Sequence, residues 1–218
     1  MIKQYIITIL VFSIVLQQGI AQTTNKFTDP RDGKMYRTIS FRSDSTGTIF
    51  TWMAQNLNYE MPGSYAYDDT MKYRKELGLL YAWEAARKAC PPGWHLPTDN
   101  EWSILVNQFG GTDKAANALK SLAGWDHDGN GTNSSGFNGL AGGQRKPNDT
   151  ANVLMGLIGF WWTSSPANMD GSAWGWNMHF GGHSSDKPLK LKVFRFPANV
   201  SHGSSVRCVC NLTKTIKS

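Results

Sequence analysis

Cys90-Pro91-Pro92-Gly93-Trp94-His95-Leu96-Pro97-Thr98-Asp99-Asn100-Glu101-Trp102 is the stretch that decides the architecture of this chain. Thr98 and Glu101 stand at capping-box spacing: the hydroxyl accepts from the Glu101 N–H while the carboxylate reaches back to the Thr98 N–H. Beyond them Trp102, Leu105, Val106 and Phe109 fall on one helical face. A stiff, Pro-bounded loop therefore leaves one helix at a cysteine and enters a second under a strong cap. Upstream, Leu79, Trp83, Ala86 and Cys90 repeat at helical spacing and give the first main helix. Downstream, Thr112-Asp113 caps a short third helix through Leu122.

Strand signals flank this helical middle. Met35 to Phe41 and Ile49 to Met53 bracket Ser43-Asp44-Ser45-Thr46-Gly47 and read as a hairpin. The Tyr-rich stretch Tyr65 to Tyr73 reads as ordered loop. Gly124 to Thr150 is full of Gly, Asn, Ser and Asp, and a loop this long is functional or held by its own side chains or an ion. Past it come Phe160 to Ser164, the period-two series Trp174, Trp176, Met178 and Phe180, then Leu191 to Phe196 and Ser205 to Cys210. Strands first, helices in the middle and strands last describe an α+β domain whose terminal strands share a sheet.

Composition narrows the setting. Lys3, the apolar run Tyr5 to Leu16 and Gly19-Ile20-Ala21 read as a signal peptide over residues 1–21, too short to span a bilayer. The expectation is a secreted, cell-surface or periplasmic protein, with residues 22–218 as one domain and no transmembrane segment after cleavage. The net charge of +6 comes from scattered lysines and arginines. The densest patch, Lys187 to Lys192, alternates with apolar residues like the solvated side of an edge strand. Without a basic face or a known module, nucleic acid is not an expected partner.

Three cysteines in an exported chain suggest one disulfide and one remainder. Cys208 and Cys210 share a strand face at roughly 6.5 Å, near the upper limit for a bridge. Pairing of Cys90 with Cys208 is therefore favoured. Cys210 is then buried, or available for a disulfide-linked dimer.

Three groups are candidate ligand sites. Asp126, Asp128, Asn130 and Asn133 are spaced like the start of a calcium loop, but Phe137 occupies the closing acidic position. The alternative is a loop whose Asx side chains satisfy their own backbone. Trp161 and Trp162 point to opposite faces of any strand, so one of them is available as an aromatic platform for a sugar unless both faces are covered. Arg145 is a candidate anion contact, its alternative an internal ion pair. No nucleophile–base–orienter set and no phosphate loop is visible, so no catalytic residue is assigned.

Several blocks of the chain match a known family. Asp29-Pro30-Arg31-Asp32-Gly33-Lys34-Met35-Tyr36, Trp52 to Tyr59, Cys90 to Trp102, Asn133 to Leu140, Trp161 to Ser165 and Ser205 to Cys208 resemble the Fibrobacter succinogenes major paralogous domain of exported bacterial proteins. The resemblance carries over no activity and no catalytic residues. It implies a C-type-lectin-like fold shared with formylglycine-generating enzymes: two main helices packed on a twisted, mostly antiparallel sheet, with a long polar loop region for binding. The Cys90–Cys208 pair fits the helix-to-last-strand disulfide of that fold, while Cys210 is extra to the family pattern. The expected function is a non-catalytic binding module for polysaccharide or a surface protein. The alternatives are a structural surface protein or an enzyme related to the formylglycine-generating oxidases. No cofactor is expected, apart from calcium at the Asp126–Asn133 loop if that loop binds it.

Overall fold

An edge strand that the sequence reading passed over, Gln22–Thr28 (β1), precedes the hairpin of Met35–Arg42 (β2) and Ile49–Met53 (β3). The computed structural model describes residues 22–147, 152–181, 183–184, 187–188 and 192–212. The leader at residues 1–21, the end of the polar loop at 148–150 and residues 189–191 of the lysine patch lie outside the described residues. After the hairpin come Ser64–Tyr65 (β4), a 3₁₀ turn at Tyr67–Asp69, Met71–Leu77 (α1) and Leu80–Tyr81 (β5). The helical middle holds Trp83–Ala89 (α2), Asp99–Gln108 (α3) and Ala115–Leu119 (α4). The remaining strands are Gly142–Arg145 (β6), Asn152–Met155 (β7), Ile158–Pro166 (β8), Ser172–His179 (β9), His183–Ser184 (β10), Lys187–Pro188 (β11), Val193–Asn199 (β12), Ser204–Ser205 (β13) and Val209–Leu212 (β14).

The architecture is mixed α and β, mostly sheet. One sheet runs β1-β2-β3-β14, so the terminal strands do share it. The larger sheet runs β12-β9-β8-β13-β5-β4, with β6 pairing both β7 and β8. Most pairs are antiparallel; β8 is parallel to both β13 and β6. The expected pair of main helices is not what forms: the described residues hold four helices, none longer than ten residues.

Each departure has a local cause. The first helix starts at Trp83 rather than Leu79 because Leu80 and Tyr81 are taken by sheet pairing with β4 and β13. Helix α1 buries no residue, so it leaves no apolar periodicity to read. Helix α4 has no side-chain cap. Asp113, expected to cap it, forms an ion pair with Lys192, while the Thr112 carbonyl accepts the Val193 N–H. The last strand signal divides, with Val206, Arg207 and Cys208 buried between β13 and β14.

The capping box on α3 forms as read: the Thr98 hydroxyl accepts from the Glu101 N–H at 3.2 Å, and the carboxylate accepts from the Thr98 N–H at 2.7 Å. Cys90 and Cys208 are disulfide-bonded, tying the end of α2 to the approach of β14. Neighbouring residues on a strand point to opposite faces, and both faces are filled. Trp52 and Trp161 join one apolar cluster, while Met53 and Trp162 join a second. The Trp102 ring of α3 packs against Trp52, Trp161 and Trp176 at centroid distances of 5.2, 5.9 and 6.3 Å. No helix of the described residues is long and apolar enough to cross a membrane.

Candidate functional site

The tryptophans are not platforms. Trp161 and Trp162 are 1% and 0% exposed, and their indole N–H groups donate inward to Asn56 Oδ1 and to the Tyr81 carbonyl. Apolar clusters on both sides of β8 leave neither ring a face for a ligand.

Two of the loop's candidate oxygens are engaged within the loop itself. Asn130 Oδ1 accepts from the Trp125 N–H at 3.1 Å, and Asn133 Oδ1 accepts from the Asn138 N–H at 2.8 Å. His127, Asp128, Asn133 and Asn138 have positive φ, a conformation that short polar side chains support by bonding to their own backbone. The Asp126 carboxylate lies against Gly156, where any Cβ would collide with it. Among the described residues no group of three or more His, Cys, Asp or Glu is placed to hold a metal. The Asn130 and Asn133 oxygens thus serve turns within the loop. Arg145 is likewise engaged internally, with Asp69 at 2.9 Å and its guanidinium over the Tyr65 ring.

The polar loop does wall a pair of adjoining clefts. The larger, about 510 Å³, lies between β1–β2 and the loop, lined by Thr24, Lys26, Arg37, Ile39, Asn133 and Gly136 among others. The smaller, about 300 Å³, is bounded by Lys34, Lys75, Glu76 and Asn138. Arg37 lines both. Sequence reading missed this site because β1, Gln-Thr-Thr-Asn-Lys-Phe-Thr, has no apolar alternation. The surviving signal is Lys26 and Arg37 flanking the Asp29–Lys34 turn, which suffices once the hairpin is assumed.

Behind the wall is a buried polar knot. Arg207 is fully buried and donates to Asn56 Oδ1 and to the carbonyls of Met53, Phe137 and Asn138 at 2.6–3.1 Å. Burial, with the like charge of Arg37 adding to it, brings its pKa down to about 9. Asn56 completes the knot by donating to the Leu77 carbonyl and Ser205 Oγ. The loop's position over the clefts is thus set by a guanidinium fork reaching from the last strand connection.

A second polar group sits at the start of α3. Glu101 accepts from Asn211 Nδ2 at 2.7 Å and lies 2.9 Å from His95 Nε2. Burial works to raise its pKa, but bonds from His95, Asn211 and the Thr98 N–H outweigh it and hold the carboxyl down to about 2. A carboxyl depressed on folding contributes stability that is fully present above its unfolded value near 4.5 and is lost as pH falls towards 2. Glu101→Gln is expected to remove about 3 kcal/mol at pH 7 and to leave unfolding nearly independent of pH between 4.5 and 2 at this site. Urea titrations of both proteins at pH 7 and pH 3 check it, and equal pH slopes would refute it. Cys210 is half-buried, its thiol hydrogen-bonded to Thr51, and burial pushes its pKa up.

Residues 43–210 match the family described as the Fibrobacter succinogenes major domain. Neither a curated protein nor a solved structure matches the chain.

Proposed function

We propose that this chain, which belongs to the Fibrobacter succinogenes major domain family, is an exported, non-catalytic binding module for polysaccharide on a C-type-lectin-like scaffold. The observation that carries the reading is the paired cleft, walled by the polar loop and lined with hydroxyl, amide and cationic groups suited to a hydroxyl-rich ligand. The scaffold assignment is supported by the disulfide from α2 to the approach of the last strand. Export is supported by that same bond, which persists in oxidising compartments, and by the apolar run Tyr5 to Leu16. The non-catalytic reading is supported by the state of the thiols: with Cys90 and Cys208 joined, Cys210 is the one free cysteine, so a reduced pair for oxidase chemistry is missing.

Thermal melts of the purified protein against neutral and acidic polysaccharides test the module. A ligand at a hundred times its Kd adds about 2.7 kcal/mol, a rise of roughly 5–10 °C for a domain of this size. The rise is expected to vanish in Thr24→Trp, which plugs the larger cleft. A flat response to every polysaccharide would remove the binding reading and favour a structural surface protein.

A further inference from the structure

Lys26 and Arg37 stand directly opposite each other on β1 and β2, and both line the larger cleft. Like charges placed face to face weaken a strand pair. Among the described residues neither side chain has a carboxylate partner within ion-pair distance. A third cation, Arg207, lies behind the same wall, bonded to the Phe137 and Asn138 carbonyls of the loop and close enough to feel the Arg37 charge. The larger cleft has no acidic residue in its lining. Glu76 in the smaller one sits among Lys34, Lys75 and Arg37, with Lys34 already paired to Asp32.

Two exposed cations facing each other at a concave wall, with a third buried behind it, repel one another, and a bound anion relieves that repulsion. We infer that the cleft takes an anionic polysaccharide, its carboxylate or sulfate groups gripped by the Arg37 fork and by Lys26 while the hydroxyls meet Thr24 and Asn133. The larger cleft offers no aromatic ring, so its hold on a chain rests on charge and hydrogen bonds. Arginine suits the role because its planar guanidinium meets a carboxylate or sulfate with two parallel bonds. This inference rests on the binding-module reading above.

Calorimetric titration at physiological salt with polygalacturonate, dextran sulfate and neutral dextran separates the outcomes. Binding to polygalacturonate or dextran sulfate, with neutral dextran at least tenfold weaker, is expected, and the better of the two polyanions names the acid group. Arg37→Gln and Lys26→Gln should each weaken the preferred polyanion about tenfold, Arg37→Lys should lose part of that, and Lys88→Gln, at an exposed position of α2, should lose nothing. Lys88→Gln weakening binding as much as Arg37→Gln would reduce the effect to bulk charge and overturn the inference, as would a stronger response to oligo(dT). Equal binding of neutral dextran overturns the anionic specificity but keeps the module. No binding to any polysaccharide overturns both.

Discussion

Arg207→Met is expected to destabilise the protein by about 4 kcal/mol, a large share of the 5–15 kcal/mol that typically holds a domain together. Two effects compete. Removing the guanidinium relieves the burial of a charge that has no carboxylate partner among the described residues, the strain visible in its lowered pKa. It also leaves the Met53, Phe137 and Asn138 carbonyls and part of Asn56 without their donor in a site closed to water. Each such orphaned acceptor costs roughly 1–3 kcal/mol, so the loss wins. Arg207→Lys should be nearly as damaging, because an ammonium carries the charge but cannot reach four acceptors spread around a planar fork. Urea unfolding of the three proteins decides it: a midpoint change worth under about 1 kcal/mol in both variants would show that the knot is dispensable.

Reduction of the Cys90–Cys208 bond is expected to cost about 5 kcal/mol on the chain-entropy model, since the bridged residues are 118 apart in sequence. Cys90→Ala should lower the melting temperature by a similar amount to a reducing agent, and the two treatments together should add nothing further. A separate loss on reducing the Cys90→Ala protein would mean that Cys210 also takes part in a bond. Cys208 neighbours Arg207, so the two largest effects converge on one short connection and should not be additive when combined.

How much of this was legible beforehand differs by element, for physical reasons. The capping box, the β2–β3 hairpin and the disulfide depend on residues close in sequence or on a small number of cysteines, and the chain states them openly. Helix α1 and strand β1 bury little and carry no apolar period, so pattern reading passed over both. The calcium-like spacing is ambiguous in sequence because turns and hard-cation sites use the same short oxygen-bearing side chains. Trp161 and Trp162 misled because alternation shows that they face apart, and only the second apolar cluster shows that both sides are covered. The clefts were hidden for a related reason: they exist only where an edge strand meets a loop about a hundred residues away.

The order of strands in the smaller sheet also bears on when the protein folds. β3 is flanked by β2, its neighbour in sequence, and by β14, made more than 150 residues later. Until Val209–Leu212 emerges, β3 presents an open edge, the Cys90 thiol has no Cys208 to join, and Arg207 has not arrived to fasten the loop. Contacts of such long sequence separation are slow to form, because the entropy of closing the intervening chain is lost before they contribute. A growing chain therefore stays pliable until β14 is delivered, and then sheet, bridge and cleft wall lock together at one place.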